Sequence, residues 1–356
     1  MSHCVVAHID LDALQHNLKK VREYAPKTNV LAMIKANGYG HGLLTVASAL
    51  DEADALGVAR MHEAVQLRKA GVKTPIVLME GFIDAEELPL LAEYDLGTVI
   101  HSEYQLKFLE EADSFHYPYV WIKVNTGMNR LGFPAETLSD VYQRLQNIKG
   151  IQQIKGVMTH FASADEIDNP ATSEQIYLFD EITKDMPIEK SLANSAGIIA
   201  WTGAQADWVR PGIMLYGVSP FADKTGEQLG LKPAMTLKSQ IIAMNHCKKG
   251  DKVGYNGIYQ CDEDMPVGVV AIGYGDGYPR YLREKTPVLV NGIETEVIGR
   301  VSMDMITVDL RPIKNTAIGD PVILWGKGLP VECIAQAAHT SPYELLTGVT
   351  SRIVYL

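Results

Sequence analysis

The chain has 356 residues, of which 47% are hydrophobic and 21% are charged, and its formal net charge at pH 7 is −11. This length predicts about two domains, and the composition is typical of a soluble globular protein. The negative charge disfavours nucleic acid and anionic membranes as partners, because both would be repelled at long range. The N-terminal segment, which contains His8, Asp10 and Asp12, lacks the apolar core of a signal peptide, and we expect a cytoplasmic protein.

The four cysteines are scattered along the chain, at Cys4, Cys247, Cys261 and Cys333. Structural zinc requires closely spaced pairs of ligands, and these cysteines form no such pair. We therefore expect the thiols to be reduced, and we predict no metal site.

The first predicted elements are a helix and a buried strand. Asp10, or alternatively Asp12, is a suitable N-cap for a helix that runs to about Tyr24. Residues 30–34 are apolar without alternation, which is typical of a strand buried on both faces. Lys35 follows where this strand should end.

Lys35 and the glycine-rich stretch behind it predict a cofactor site. Three glycines alternate with Tyr39 and His41 over residues 38–42, so the backbone can approach a ligand closely. In apolar surroundings the charged form of a lysine is disfavoured, and its neutral amine can attack a carbonyl to form a Schiff base. The alternative is a lysine whose aliphatic stem packs at a strand end above a glycine turn.

Short apolar runs alternate with helical patterns up to residue 209. With residues 30–34 they make eight predicted strands, the others being residues 55–59, 76–79, 96–100, 119–124, 154–159, 191–193 and 208–209. Strands that alternate with helices pair in parallel, and eight such units predict a closed (β/α)8 TIM-like barrel. A doubly wound open sheet is the alternative architecture.

Polar side chains follow five of these strands. They are Lys35, Lys123 with Asn125, His160, Asn194 with Ser195, and Arg210. Barrel enzymes carry catalytic groups at the carboxyl ends of their strands and often bind phosphate after strands seven and eight. There, Gly212 and Ile213 offer backbone N–H groups, and Ser195 adds a further donor. The sequence therefore predicts a phosphate-binding active site at one end of the barrel.

A second domain of different character follows. Residues 221–233 break the alternation, and we predict a barrel over residues 1–228 and a mostly-β domain over residues 229–356. Asn291-Gly292 is a hairpin signal, and Ser341-Pro342-Tyr343-Glu344 predicts a capped C-terminal helix. The predicted strands of this domain are residues 236–244, 267–272, 288–290, 306–310 and 322–325.

Six motifs connect the chain to a known family. They are residues 34–42 (IKANGYGHG), 125–132 (NTGMNRLG), 210–217 (RPGIMLYG), 253–255 (VGY), 272–277 (IGYGDG) and 299–304 (GRVSMD). In this order, divided between a barrel and a β domain, they resemble the motifs of alanine racemases, which are pyridoxal-phosphate enzymes of fold type III. The resemblance extends over nearly the whole chain. It implies interconversion of L-alanine and D-alanine with pyridoxal 5'-phosphate as cofactor.

Racemisation removes the α-proton from one face of the substrate and returns a proton to the other, so two bases are expected. By resemblance, Lys35 is the lysine that binds the cofactor covalently and serves one face, and Tyr255 is the tyrosine that serves the other. A tyrosine has an ordinary pKa of ~10, and it needs a depressed pKa or a neighbouring acceptor to act as a base. In the family this tyrosine is hydrogen-bonded to the histidine matching His160, and through it to the arginine matching Arg210.

Arg210 has an electronic role by resemblance, because it donates to the pyridine nitrogen of the cofactor. Arginine stays protonated and does not readily give that nitrogen a proton, so the ring is a weaker electron sink. A less stabilised carbanion is reprotonated sooner, which favours racemisation over transamination.

Other residues receive roles only through the resemblance. Those around the phosphate are Tyr39, Ser195, Gly212 and Ile213, and those near the substrate or in its entrance are Arg130, Met303, Tyr274 and Asp304. In the family the β-domain residues reach the barrel of the partner chain, which implies a homodimer with composite active sites. Lys123 matches a lysine that is carbamylated in some relatives, where the new carboxylate orients the arginine matching Arg130.

Three positions depart from some relatives. Ser302 stands where several have cysteine, Asn125 where many have aspartate, and Ser351 where some have a phosphate-binding tyrosine. The difference at Ser351 puts part of the predicted phosphate shell in doubt. None of the three differences affects Lys35 or Tyr255.

The function that we expect is an alanine racemase activity, which in this family usually supplies D-alanine for peptidoglycan. One alternative is a racemase of the same fold with broader amino-acid specificity. Others are a non-catalytic pyridoxal-phosphate carrier and a Schiff-base aldolase without the cofactor. The β domain with Tyr255 speaks against the carrier, which would need only the barrel and Lys35.

Overall fold

The structure, a computed structural model, describes residues 4–112, 117–283 and 285–356. Strand β1 (Val6–Ile9) and helix α1 (Leu11–Tyr24) come first. The Asp10 side chain caps this helix, as predicted, by accepting a hydrogen bond from the Ala13 N–H at 2.9 Å. The helix buries its apolar face against the barrel, including the predicted Leu14, Leu18 and Val21.

Eight parallel strands close into a barrel. They are β2 (Asn29–Met33), β3 (Ala55–Val58), β4 (Ile76–Leu78), β5 (Leu96–Ile100), β6 (Val120–Lys123), β7 (Ile154–Met158), β8 (Glu189–Ser191) and β9 (Trp208–Val209). The ring closes where β9 pairs in parallel with β2, with Asn29 opposite Trp208. The predicted (β/α)8 barrel is confirmed, and the alternative of an open sheet is wrong.

Helical segments separate the barrel strands. They are α2 (Lys35–Tyr39), α3 (Leu43–Ala49), α4 (Met61–Lys69), α5 (Leu88–Glu93), α6 (Glu103–Glu111), α7 (Leu138–Gln146), α8 (Ala171–Thr183) and α9 (Ser195–Ala200). In the part of the chain that the structure describes, no helix has the length and apolar composition needed to cross a membrane.

The seventh barrel strand begins two residues earlier than predicted. The prediction was residues 191–193, whereas β8 covers Glu189–Ser191. The prediction missed Glu189 because a charged residue gives no apolar strand signal, and the partners that hold it in the barrel lie on neighbouring strands. Its carboxylate lies 2.9 Å from the Lys155 amine and also accepts from the Trp208 indole N–H.

The second domain is built on a sheet of eight strands. After the barrel come β10 (Met235–Cys247), β11 (Lys252–Val253), β12 (Tyr259–Gln260), β13 (Met265–Val270), β14 (Pro287–Val290), β15 (Ile293–Ile298), β16 (Ile306–Asp309), β17 (Pro321–Trp325) and β18 (Val354–Tyr355). The order in the sheet is β13-β16-β15-β14-β17-β10-β1-β18, while β11 and β12 pair separately. The predicted mostly-β character of this domain is confirmed.

The first strand of the chain joins this second sheet. β1 pairs antiparallel with β10, with Ile9 opposite Met235, and parallel with β18. The predicted barrel range of residues 1–228 did not anticipate this, because four residues carry too little periodicity to identify their partner.

Two local predictions in the second domain are confirmed. Asn291 and Gly292 join β14 to β15 with φ angles of 51° and 77°, as a two-residue hairpin turn requires. Helices α10 (Val331–Ala337) and α11 (Pro342–Thr347) follow the sheet strands. Ser341 caps α11 by accepting a hydrogen bond from the Tyr343 N–H at 3.2 Å.

Asn17 joins the barrel to the segment that leads into the second domain. This fully buried side chain on α1 donates to the carbonyls of Leu215 at 2.9 Å and Lys232 at 2.8 Å. It also accepts from the Lys232 N–H at 2.8 Å. One buried amide therefore serves three backbone groups, of which the Leu215 carbonyl is itself buried.

Replacing Asn17 with alanine should destabilise the protein by about 2–4 kcal/mol, because backbone groups would remain buried without partners. The matched control is Asn147→Ala, since Asn147 is exposed and its side chain makes one bond, to the Gln143 carbonyl at 3.1 Å. Urea unfolding followed by circular dichroism measures both variants. Equal midpoints for the two would contradict this role of Asn17.

Candidate active site

Lys35 leaves the barrel on a left-handed turn. Its predecessor Ile34 still bonds to the neighbouring strand, through a 2.9 Å hydrogen bond to the Gly57 carbonyl. Ala36, Asn37 and Gly38 then have φ angles of 53°, 56° and 63°. Left-handed backbone costs about 1–2 kcal/mol for each residue that carries a Cβ, so contacts around the turn must hold it in place.

A cavity of about 640 Å³ lies at the carboxyl ends of the barrel strands. It contains every barrel residue in the predicted site: Lys35, Tyr39, Lys123, Arg130, His160, Ser195, Arg210, Gly212 and Ile213. The cavity thus brings together side chains that are up to about 180 residues apart in the sequence, as parallel strands of a closed barrel require.

Other residues of the cavity were not singled out in the sequence: Met33, Met79, Glu80, Leu131, Tyr343 and Thr347. Glu80 comes directly after a predicted strand, so the rule that identified Lys35 could have found it. Tyr343 had no such signal, because it reaches the cavity from α11 in the second domain. Burial raises its pKa to about 12, so it remains a hydroxyl donor at neutral pH.

Arg210 is a buried guanidinium, with 4% of its surface exposed. It donates to the Ser191 hydroxyl at 2.6 Å, to the Leu192 carbonyl at 3.0 Å and to the Thr159 carbonyl. Among the described residues, no carboxylate lies within ion-pair distance of it. Burial lowers the pKa of Arg210 to about 10, so it is still charged at neutral pH.

His160 lies against this guanidinium, with 3.3 Å between its Nδ1 and an Arg210 nitrogen. Burial, followed by the charges of Arg210 and Lys123, lowers the pKa of His160 well below its ordinary value. The neutral ring must accept at Nδ1, because a guanidinium can only donate. Its proton therefore resides on Nε2, where it is available as a donor.

Both cavity lysines have lowered pKa values. Burial is the largest cause for Lys35, opposed by the negative charge of Glu80 and assisted by Arg130. Burial, with the charges of Arg210 and Arg130, lowers the pKa of Lys123 to about 8. Part of Lys123 is therefore a neutral amine near physiological pH, and burial shifts Lys35 toward the same nucleophilic form.

A group of hydrogen-bond donors lies beside the left-handed turn. The Gly212 N–H donates to the Ser195 hydroxyl oxygen at 2.9 Å, and a Cβ at position 212 would collide with the Tyr39 hydroxyl. The Ile213 N–H opens a 3₁₀ turn (Ile213–Tyr216) and has no protein acceptor in the described ranges. The hydroxyls of Ser195 and Tyr39 and the Ile213 N–H therefore lie around Gly212, and donors of this kind suit an anion such as a phosphate.

The ring of Tyr39 is fixed by packing. It stacks on Tyr216, with 4.7 Å between ring centroids and 21° between ring planes. Tyr216 is itself anchored, since its hydroxyl donates to the Met33 carbonyl at 2.9 Å. Burial raises the pKa of Tyr39, so its hydroxyl stays protonated and can donate to an anion.

The loop that carries Arg130 folds back on its own strand. The Asn125 N–H donates to the Phe133 carbonyl at 2.9 Å, and the Asn125 side chain accepts from the Asn129 N–H at 3.0 Å. Gln175 joins this loop to the next strand end, through 3.1 Å to the Thr126 hydroxyl and 3.0 Å to the His160 carbonyl. Asn125 therefore organises the loop, and it does not line the cavity.

The predicted site residues of the second domain lie outside this cavity: Tyr255, Tyr274, Met303 and Asp304. Tyr255 is 67% exposed and Met303 is 53% exposed. Tyr274 and Met303 lie on adjoining loops, since the Gly275 N–H donates to the Met303 carbonyl at 2.9 Å. The structure of one chain therefore separates them from Lys35. Ser351 is also exposed and away from the cavity, and its neighbour Arg352 donates to Asp304 at 2.8 Å.

The amine of Lys123 should react with acetic anhydride in the protein without cofactor as a group of pKa about 8. Only the neutral amine reacts, so labelling should rise steeply between pH 7 and 8 and level off above about pH 9. Peptide mass spectrometry after trace labelling at each pH measures this. Labelling that still rises above pH 10, as for a lysine in water, would contradict the lowered pKa.

Comparisons with known proteins agree over both domains. Residues 9–220 match the family model described as the alanine racemase N-terminal domain, and residues 234–355 match the one described as the C-terminal domain. Among curated relatives, the alanine racemase of Shewanella sediminis is 51% identical over 98% of this chain and 97% of its own length. The alanine racemase of Vibrio parahaemolyticus is 50% identical over the same shares.

Solved structures give the same result. The biosynthetic alanine racemase from Pseudomonas aeruginosa is 40% identical, with a TM-score of 0.95 over 100% of this chain and 99% of that one. The alanine racemase from Acinetobacter baumannii is 39% identical, with a TM-score of 0.94 over 99% of both chains. With both domains and the full length matched, the chain belongs to the alanine racemase family.

Proposed function

We propose that this protein interconverts L-alanine and D-alanine with pyridoxal phosphate, using Lys35 and Tyr255 of the partner subunit as the two bases. One observation carries the proposal: the barrel cavity combines a lysine of lowered pKa, a buried arginine–histidine pair and an anion site. Membership of the alanine racemase family supports the choice of alanine as substrate.

The cavity fits pyridoxal phosphate at three points. The Lys35 amine would hold it covalently, and the phosphate would lie among the Tyr39 hydroxyl, Ser195, Gly212 and Ile213. Arg210 would meet the ring nitrogen, because its hydrogen bonds leave the Nε–H and one Nη1 hydrogen without a protein acceptor in the described ranges. When bound, the cofactor supplies a ring that accepts the electron pair left when the α-proton departs.

The proton transfers belong to two side chains. The Lys35 amine would be free to remove or return the proton on one face once the substrate amine has replaced it in the covalent bond to the cofactor, and burial suits it to this by lowering its pKa. Tyr255 of the partner subunit does the same on the opposite face. His160, whose Nδ1 accepts from Arg210, directs its Nε2–H to that phenolic oxygen and stabilises its ionised form.

Arg210 also influences the outcome of the reaction. With a pKa of about 10 it keeps its proton at neutral pH, so it would give the ring nitrogen a hydrogen bond rather than a proton. This would limit electron withdrawal by a bound ring and would favour rapid return of the proton to the substrate carbon.

A homodimer supplies the missing base. Large apolar side chains of the second domain, among them Tyr255, Ile258, Tyr274, Tyr281 and Met303, are exposed in one chain. Aromatic and methionine side chains are enriched at interfaces. We propose that these side chains cover the barrel cavity of the partner, and that the Met303 N–H of the partner subunit and Arg130 bind the substrate carboxylate. Tyr274 and Asp304 of the partner subunit would line the entrance.

Lys123 is a candidate for carbamylation. Carbamylation requires a neutral amine, and with a pKa of about 8 roughly a tenth of Lys123 is neutral at pH 7. The resulting negative charge would be stabilised by Arg130 and Arg210, whose positive charges are among the causes of the lowered pKa. Intact mass measured under carbon dioxide without acid should exceed the calculated mass by one carbon dioxide, and Lys123→Arg should abolish the difference.

Racemisation is tested by circular dichroism of L-alanine, and separately of D-alanine, with purified protein and pyridoxal phosphate. The wild type should drive both enantiomers to the same racemic end point. Lys35→Ala and Tyr255→Phe should each reduce kcat by at least about a thousandfold, because each removes a proton-transfer group. A protein that holds the cofactor but changes neither enantiomer would be a carrier, or a racemase of another amino acid.

The composite site is tested with heterodimers purified through two different tags. A dimer of one Lys35→Ala chain and one Tyr255→Phe chain has one intact site, so we expect about half of wild-type activity. The reciprocal control pairs a wild-type chain with a chain that carries both substitutions, and it should be nearly inactive. If both bases came from one chain, these two results would be exchanged.

The role that we propose for the product is supply of D-alanine for peptidoglycan, which is the usual role of this family. The cytoplasmic location expected from the sequence stays a prediction. The breadth of substrate specificity is open to measurement, because a pocket separates substrates that differ by one methylene by only ~1–3 kcal/mol.

A further inference from the structure

We propose that Glu63 is a positioning residue that holds the left-handed turn carrying Lys35 and Tyr39. The contact is visible in the fold without any ligand, and its consequence for catalysis rests on the proposed function. No resemblance or motif assigned a role to Glu63, which lies on α4, outside the cavity and 28 residues after Lys35.

The Glu63 carboxylate is divided between two backbone segments. One oxygen accepts from the Asn37 N–H at 3.3 Å, two residues after Lys35. The other oxygen accepts from the Ala59 and Arg60 N–H groups at 3.0 and 3.1 Å, at the exit of β3. One side chain therefore ties the exits of two adjacent barrel strands together.

Glu63 is only 6% exposed. Within residues 4–112, 117–283 and 285–356, no lysine, arginine or histidine lies within ion-pair distance of it. Arg60 is three residues earlier in the chain, but its guanidinium pairs with Glu80 at 3.2 Å instead. The buried charge is thus stabilised by backbone N–H groups and by the N-terminus of α4. Capping of α4 explains the hydrogen bonds of one carboxylate oxygen, and the contact with the turn explains the position of the other.

The turn needs an external contact at this point. Its own hydrogen bonds begin one residue later, from the Gly38 N–H to the Ile34 carbonyl at 2.8 Å and from the Gly40 N–H to the Ala36 carbonyl at 3.0 Å. The Asn37 N–H has no acceptor inside the turn, and Glu63 is its acceptor. Ala36 and Asn37 carry the left-handed strain immediately after Lys35.

The far end of the turn is held by other groups. The Asn37 side chain accepts from the Leu43 N–H at 2.9 Å, and Tyr39 stacks on Tyr216. Gly40 packs so closely on the Leu346 carbonyl that a Cβ there would collide with it. Loss of the Glu63 contact should therefore loosen the Lys35 end of the turn and leave the Tyr39 end in place.

The test is Glu63→Gln, which keeps the shape but has only one acceptor oxygen. The amide oxygen can accept from the two N–H groups at the start of α4 and so cap the helix. The amide NH₂ then faces the Asn37 N–H, and two donors cannot form a hydrogen bond with each other. Glu63→Asp is the second variant, since its carboxylate can cap the helix but is one methylene too short to reach Asn37 as well. The matched control is Glu87→Gln, because Glu87 accepts a comparable local bond from the Ile83 N–H at 2.8 Å away from the cavity.

The first measurement is hydrogen exchange by mass spectrometry on the protein without cofactor. In both Glu63 variants, peptides covering residues 35–42 should exchange about tenfold faster than in the wild type, the change expected for loss of one hydrogen bond to a charged acceptor. Peptides of α4 and the melting temperature should change little. The Glu87 variant should match the wild type throughout.

The second measurement is the rate at which pyridoxal phosphate leaves the protein, followed by its visible absorption, together with kcat and KM for alanine. In Glu63→Gln the cofactor should leave about tenfold faster, and kcat should fall by a similar factor while KM changes less. A substitution that only lowered global stability would not speed cofactor release and lower kcat while KM changed less.

Unchanged exchange over residues 35–42 in both variants would overturn the proposal. So would faster exchange that is equal in α4 and the turn, because that result assigns Glu63 to the helix alone. A wild type that binds no cofactor would overturn the proposed function instead, and the exchange measurement, made without cofactor, would still decide the role of Glu63.

Discussion

A guanidinium that is buried, with no carboxylate partner among the described residues, shapes the electrostatics of this cavity. Arg210 is held by carbonyl and hydroxyl oxygens, whose dipoles stabilise its charge without cancelling it. The uncancelled charge extends to its surroundings, and it is among the causes that lower the pKa values of His160 and Lys123. A carboxylate in place of the Ser191 hydroxyl would neutralise this field. His160 would then be protonated more readily, and Lys123 would lose one of the charges that favour its neutral form.

The position of Lys35 depends on contacts from two domains. The left-handed turn is bound on one side by Glu63 from the barrel and on the other by α11, whose Leu346 carbonyl packs on Gly40. The same helix brings Tyr343 to the cavity wall. The second domain therefore completes the cavity of its own chain at the Tyr39 end. Under the proposed function it also completes the cavity of the partner at the opposite end, so its placement on the barrel affects two sites at once.

The parts of the fold and site that the sequence predicted are those with a local signal. Apolar runs identified most of the barrel strands, and polar residues at the ends of these runs identified Lys35, Lys123, His160 and Arg210. The second-domain site residues were assigned by family resemblance alone. Contacts between distant segments were missed. Glu63 looks like an ordinary charge in the first turn of a helix, and its link to Asn37 depends on how β2 and β3 lie side by side. β1 and Tyr343 were missed for the same reason.

One chain separates Tyr255 from Lys35, so under the proposed function Tyr255 of the partner subunit enters the cavity as the second base. There it must lose its proton, and the Arg210–His160 pair can favour its ionised form. Docking of Tyr255 of the partner subunit into the cavity would bury its hydroxyl, and burial alone disfavours the ionised phenolate that a base requires. Only a hydrogen bond that favours the phenolate can reverse this effect. His160 is suited to supply it, because burial and the Arg210 charge disfavour its protonation, and the same charge polarises the ring and strengthens its Nε2–H as a donor. Burial and the guanidinium together would thus keep His160 neutral while making it an effective donor to the second base, so that under the proposed function this base becomes active only where the two chains meet.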